Sequence, residues 1–297
     1  MNKLGVHAFV WTAGWTNNDC AYAIAKTAEV GFDLIEASTL DLDLLDVEFT
    51  RKQLKQAGIG ATFSFGLDDE TDISSNDREK EKRGEARLLK ALNLARDIGA
   101  THVCGILESA FQKYSVPTTA EGVKRSVEVL QRVGEVAAKN DIILGLEVVN
   151  RYESNVLNTA SQAVEMCKRI GSSHVKAHLD VYHMNIEESD ISQAIIDTGD
   201  YIGYFHTGDS HRGYMGSGTI DLAGVFRALV KANYQGPITF ESFSSRVVGQ
   251  PLEGILGIWR NLWEDSHDLA THALMYTRAQ LKAAQEAAKQ AERSRLP

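Results

Sequence analysis

The sequence predicts an α/β fold, a single (β/α)8 TIM barrel, and three observations carry that prediction. Short apolar runs rich in β-branched and aromatic residues recur along the chain, and helical stretches that end in Gly or Asn precede them. Helices and strands alternate about eight times, which implies parallel strands joined by helical crossovers, and eight such units close into a barrel. A length of 297 residues suits one barrel with a terminal extension. A doubly wound open sheet is the structural rival, and six or seven true strands would favour it.

The strands read as Leu4–Trp11, Phe32–Ser38, Ala61–Leu67, His102–Leu107, Ile142–Val149, Val175–His183, Ile202–Gly208 and Pro237–Phe243. Gly31, Gly58 with Gly60, Gly99, Asn140, Gly171 and Gly236 punctuate their starts, whereas Gly203 falls inside its strand. Amphipathic helices are expected over Cys20–Glu29, Asp77–Asp97, Thr119–Lys139, Thr159–Arg169, Ile191–Thr198, Leu222–Ala232 and Leu252–Trp263. Ser74, Ser75 and Asn76 are cap candidates for the second of these, and Asn158-Thr159-Ala160 reads as the start of the fourth. Leu269, Leu274, Met275 and Leu281 recur at helical spacing in the tail, which predicts a helical extension at about 265–295 of the one domain, 1–297. That helix is expected to lie against the barrel or a second subunit.

Composition bounds the function class. A net charge of −9 repels phosphate backbones, so no nucleic-acid partner is expected. No apolar run approaches a membrane span, and the N-terminal run lacks a signal-peptide pattern, so a cytoplasmic protein with no membrane partner is expected. Cys20, Cys104 and Cys167 are odd in number and far apart, which argues for free thiols and against a cysteine metal cage.

Active sites of α/β barrels sit at the C-terminal ends of the strands, so polar residues that end apolar runs mark the chemistry. Glu147, Asp180, His206 and Glu241 do so on four consecutive strands. A carboxylate inside an apolar strand costs several kcal/mol unless it is paired or metal-bound. Each residue alone has a bland reading: a salt bridge for a glutamate, a helix cap for Asp180, a hydrogen-bonded core histidine for His206. Four at similar depth point instead to one divalent ion, since three carboxylates and an imidazole suit Mn²⁺, Mg²⁺ or Co²⁺. His183, Glu153 and Arg212 follow in the loops leaving these strands, where groups that orient a substrate are carried. Glu36 ends the second strand as a pocket wall or a salt-bridge partner. Gly216-Ser217-Gly218 reads as a plain turn, since no phosphate-loop lysine follows.

At these residues the chain resembles the ketose 3-epimerases: the D-tagatose, D-psicose (allulose) and L-ribulose 3-epimerase group of xylose-isomerase-like barrels. The resemblance is carried by GFDLIEAS, LEVVNRYESNVLNTA, HLDVYHMNIEE, FHTGDSHRGYMGSGTID, ITFESF and GIWRNLW, which span most of the chain. It implies that Glu147, Asp180, His206 and Glu241 are the ligands of one divalent metal, Mn²⁺ foremost with Co²⁺ or Mg²⁺ as alternatives. It implies that Glu147 and Glu241 are also the catalytic acid–base pair. Glu153, His183 and Arg212 would hold the substrate, and His7, Trp11 and Phe111 would line the sugar pocket. The implied partner is a monosaccharide ketose, and the implied assembly a homodimer or homotetramer. His7 stands where an aromatic is usual, and ESFSS follows the last strand in place of a Pro-containing turn, a pattern closer to the L-ribulose 3-epimerase branch. An aldose–ketose or hydroxypyruvate-type isomerase on the same barrel, moving a proton between C1 and C2, is the rival enzyme. An inosose dehydratase-type lyase and a non-enzymatic sugar-binding protein are the further alternatives.

Overall fold

The computed structural model describes residues 2–294. In chain order it contains β1 (Leu4–His7), α1 (Asn17–Val30), β2 (Leu34–Ser38), α2 (Val47–Ala57), β3 (Gly60–Ser64), α3 (Arg78–Ile98), β4 (His102–Gly105), α4 (Ala120–Lys139), β5 (Ile143–Val148), α5 (Ala160–Ile170), β6 (Val175–Asp180), α6 (Val181–Glu187), α7 (Ile191–Thr198), β7 (Ile202–Thr207), α8 (Leu222–Lys231) and β8 (Ile238–Phe240). Two single-turn helices follow, α9 (Ser245–Val248) and α10 (Leu252–Ile255), and then the long α11 (Ser266–Arg293). Among the described residues each strand pairs in parallel with its sequence neighbours, and β8 closes onto β1. Closure excludes the open sheet.

The strands are short and almost wholly buried because both of their faces are covered. Val6, Ile35, Phe63, Val103, Leu144, Leu179 and Phe205 have at most 1% of their surface exposed. Helix α4 shows how the outer ring packs: Ser126, Val129, Leu130, Val133 and Ala137 recur every three or four residues and form its buried stripe. Thr159 closes a capping box with Gln162 at the start of α5. Gly31 and Gly99 end α1 and α3 at φ of +95° and +80°, the left-handed conformation that their C-cap signal predicts.

Several boundaries differ from the sequence expectation, each for a local reason. Strand β1 ends at His7, not Trp11: the His7 Nδ1 accepts the Phe9 N–H at 3.1 Å, and a 3-10 turn over Ala8–Val10 follows. Strand β6 ends at Asp180, whose carboxylate accepts the Tyr182 N–H at 2.6 Å and starts α6. Helix α2 has no counterpart in the sequence reading, because only Thr50 and Leu54 are buried along it and its apolar signal is sparse. Helix α3 is capped by Asp77, not by Ser74, Ser75 or Asn76. The helix expected over Leu252–Trp263 is one turn long, and the chain leaves it through Gly257 at φ +65°.

Helix α11 packs on α8 and α1 and buries Leu269, Ala270, Ala273, Leu274 and Leu281. Met275, read as part of that stripe, is 67% exposed. Residues 295–297, the expected end of the tail, lie outside the described residues. Among the described residues no helix is long and apolar enough to cross a membrane.

Gly84 in α3 marks a close approach. A Cβ there would lie 2.2 Å from the Thr71 carbonyl oxygen and 2.5 Å from Ile73 Cγ2. Alanine favours a helix over glycine by about 1 kcal/mol, yet overpacking costs about 1–3 kcal/mol. Gly84→Ala is therefore expected to lower the urea unfolding midpoint; a raised midpoint would show that the loop yields without cost.

Candidate active site and metal centre

Four side chains meet at the C-terminal end of the barrel. Glu147 is the penultimate residue of β5, Asp180 the last of β6 and His206 the penultimate of β7, while Glu241 follows β8 directly. Register aligns them: Asp180 pairs with His206, and the Glu241 N–H donates to the Thr207 carbonyl at 3.0 Å. One ligand atom from each lies within 4.8 Å of the others. The His206 Nδ1 is 3.5 Å from Asp180 Oδ2, 3.6 Å from Glu241 Oε1 and 3.8 Å from Glu147 Oε1. That nitrogen is buried and has no hydrogen-bond partner in the protein.

Ion–donor bonds of about 2.0–2.2 Å set neighbouring donors roughly 3–4.4 Å apart, so these spacings fit one bound ion. The donor set of three carboxylates and an imidazole suits a divalent cation, and the cluster is a candidate site for one. Protons mark the same charge excess. Burial pushes the Glu147 carboxyl well above the usual carboxylate range, and burial also raises Glu241 against the pull of Arg212. Burial works against ionised Asp180 too, but Arg212 and His183 outweigh it and hold that group low. Burial alone would depress His206, but Glu36 and Glu241 raise it well above the ordinary imidazole value.

A polar layer beneath the cluster orients it. The fully buried Glu36 on β2 accepts from His206 Nε2 at 2.8 Å and from the Tyr204 hydroxyl at 2.7 Å. Thr62 and Thr239 contact that hydroxyl at 2.7 and 2.6 Å. With Nε2 engaged by Glu36, Nδ1 points among the three carboxylates, where a neutral ring would offer its lone pair to a shared cation. Sequence reasoning left Glu36 between two readings; a carboxylate ending an apolar strand was its signal. It missed His178, two residues before Asp180 on the same side of β6. Both ring nitrogens of His178 are buried without a protein partner, and with Glu147 and His206 it forms a second donor group within 4.8 Å.

Glu153 and Arg212 from loops and His183 from α6 converge on the same cavity, of about 710 Å³ including space open to solvent. Glu153, His183 and Arg212 form its polar wall beside Glu147, His206 and Glu241. Asn150, missed in the sequence, donates to His183 Nδ1 at 2.9 Å and to Glu153 Oε1 at 2.9 Å. Its backbone N–H also reaches that Nδ1, at 3.2 Å, so the proton of a neutral His183 ring sits on Nε2, facing the cavity. Burial keeps His183 neutral by lowering its pKa. The guanidinium of Arg212 contacts Glu241 and lies 3.3 Å from Asp180 Oδ2. It stacks 3.9 Å above the Tyr182 ring and 4.8 Å from that of Phe243.

His7 and Phe111 also line the cavity, together with Ile106 and Leu252, and His7 Nε2 lies 3.8 Å from Glu241 Oε1. Burial lowers the pKa of His7 to about 4, so the ring is neutral, and its Nε2 lies 3.1 Å from the Ser64 hydroxyl. Trp11 is a correction. The 3-10 turn after β1 carries it into the core, where its indole N–H donates to Thr27 Oγ1 of α1 at 3.1 Å. Phe9 lines the cavity instead.

Partners that orient metal ligands typically contribute about 10–100-fold to metal affinity. Glu36→Gln keeps the shape and removes the charge behind His206. As a change behind a candidate divalent-ion site, it is expected to lower affinity by that factor in a calorimetric titration with Mn²⁺ as the probe, and unchanged affinity would disconnect Glu36 from the cluster.

The family model for xylose isomerase-like TIM barrels matches residues 24–274. A ketose 3-epimerase of Arthrobacter globiformis is 44% identical over 281 residues, covering 95% of this chain and 97% of that protein. An L-ribulose 3-epimerase of a Methylomonas species is 41% identical, covering 92% of this chain and 96% of that protein. The solved structure of an L-ribulose 3-epimerase superposes with a TM-score of 0.96 at 39% identity, with both chains fully covered. With this fold and these relatives, the chain belongs to the ketose 3-epimerase family of xylose isomerase-like TIM barrels and is a sugar isomerase-class enzyme.

Proposed function

We propose that this enzyme epimerises free ketoses at C3, with L-ribulose, D-tagatose and D-fructose/D-psicose as the substrate type. The observation that carries the reading is the approach of Glu147 and Glu241 to one shared cluster from strands three apart around the barrel. Inversion needs one group to take the C3 proton on one face and another to return a proton on the opposite face. A single base would restore the original configuration.

Glu147, Asp180, His206 and Glu241 would hold one divalent ion, Mn²⁺ foremost with Co²⁺ or Mg²⁺ as alternatives, which supplies Lewis-acid polarisation of a carbonyl when bound. One glutamate removes the C3 proton, and the substrate becomes a cis-enediolate. The other glutamate protonates the opposite face, and in the reverse direction the two exchange roles. Burial raises both carboxyls above the ordinary carboxylate range, the direction that general acid–base work asks for. Arg212 and the Nε2–H of His183 face the developing negative charge and stabilise it. Glu153, held by Asn150, orients the hydroxyl end of the sugar. His7, Phe9, Phe111 and Phe243 pack the remaining sugar carbons and exclude water. The reading includes assembly as a homodimer or homotetramer, supported by Trp259, which is 75% exposed on the segment after β8.

The rival C1/C2 isomerase uses the same cluster and differs in where hydrogen exchanges. In D2O the product ketose is expected to carry deuterium at C3 by NMR; deuterium confined to C1 would establish the rival. Glu147→Gln and Glu241→Gln are each expected to lower kcat by about 10²–10⁴-fold while the barrel stays folded by circular dichroism. Robust turnover in either variant contradicts the two-base scheme. Chelation is expected to abolish turnover and Mn²⁺ or Co²⁺ to restore it, read by chromatography of a ketose panel; full activity after exhaustive chelation removes the ion from the reading.

A further inference from the structure

Arg212 reaches Glu241, Asp180 and His183 from an unusual backbone. Its φ is +62°, a left-handed conformation that residues with a side chain adopt rarely. Stacking on Tyr182 and Phe243 sets the plane of the guanidinium, but it does not explain what holds the backbone.

Two contacts do. The Arg212 N–H donates to the Asp209 carbonyl at 2.9 Å. Asp209 is itself fully buried, and its carboxylate ties the loop by accepting the N–H groups of Ser210 and Gly216, both at 2.7 Å. The Arg212 carbonyl accepts the hydroxyl of Ser242. Ser242 follows Glu241 directly, is fully buried, and accepts the indole N–H of Trp263 at 2.8 Å.

Direction follows from the chemistry of these groups. An indole N–H is a donor only, whereas a hydroxyl has one proton and two lone pairs. Trp263 therefore occupies a lone pair of Ser242, and the hydroxyl proton is left for the Arg212 carbonyl. The motifs ESFSS and GIWRNLW thus meet at one hydrogen-bonded chain beside the base.

We propose that Ser242, oriented by Trp263, is a positioning residue for the epimerisation. It locks Arg212 in the left-handed turn that brings the guanidinium to Glu241. The proposal rests on the reading of Glu241 as an acid–base group and Arg212 as its charge-stabilising neighbour. Because Glu241 and Ser242 are consecutive, any shift at the end of β8 moves the base and the support of the cation together. Without the hydroxyl, the Arg212 carbonyl and the buried indole N–H of Trp263 both lose their partner.

A double-mutant cycle tests this in the Mn²⁺-loaded enzyme with L-ribulose. Ser242→Ala is expected to lower kcat/KM by about five- to tenfold when Arg212 is present. In an Arg212→Ala background the same change is expected to cost less than about twofold, because nothing remains to be positioned. Ser242→Thr, which keeps the hydroxyl, is expected to restore most of the loss. An equal loss in both backgrounds, or no loss from Ser242→Ala with Arg212 present, overturns the proposal. If Arg212→Ala is too slow to assay, the same cycle is read in the calorimetric Kd for L-ribulose, where an unequal loss supports the proposal and an equal loss overturns it. If Ser242→Ala does not fold, Trp263→Phe takes its place, keeping an aromatic ring and losing the N–H. Arg212→Ala at full speed beside an inactive Glu241→Gln sinks this proposal alone, whereas full activity in both variants sinks the functional reading beneath it.

Discussion

Glu36, Asp180 and Glu241 bury their carboxylates, and Glu147 sets a mostly buried one, around one imidazole at the mouth of the barrel, and Arg212 is the guanidinium set among them. Ionised carboxylates in a low-dielectric interior are costly unless a positive charge offsets them. The excess of negative charge makes the cluster retain protons or bind a cation. Much of the surrounding architecture follows from that excess: the ring of His206 is held from behind, Arg212 is pinned over the carboxylates, and aromatic rings cover the remaining side.

Convergence itself is a product of the closed cylinder. Residues at the ends of β5, β6, β7 and β8 are separated by some thirty residues of sequence, yet parallel pairing puts their ends side by side. The same pairing stacks the polar layer of Glu36, Thr62, Tyr204 and Thr239, from β2, β3, β7 and β8, under the cluster inside the barrel. The C-terminal ends of the strands carry the four clustered donors, whereas Glu153 and Arg212 come from loops and His183 from α6.

Legibility in the sequence followed signal strength. The strands and most helices were readable because the barrel needs apolar strands and glycine-terminated helices at repeated spacing. Helix α2 was not, because its buried face is only Thr50 and Leu54. The segment after β8 looked helical from its apolar content, but α10 lasts one turn and the chain leaves it through Gly257 at φ +65°. Trp11 looked like a pocket residue by resemblance, and the 3-10 turn after His7 turned it into the core.

The sequence alone determined the barrel class, the four strand-end residues of the cluster, the cavity residues Glu153, His183 and Arg212, and the family resemblance. These are encoded by residue type and periodicity along the chain, which local physics makes visible. Only the tertiary structure decided that Glu36 backs His206, that Asn150 sets the His183 ring, that Phe9 and not Trp11 faces the cavity, and that Ser242 and Trp263 hold the Arg212 backbone. Each of these is a contact whose direction depends on where a strand stops or a loop turns, and the Glu36–His206 contact joins residues 170 positions apart. No pattern along the sequence specifies such a meeting until the barrel closes.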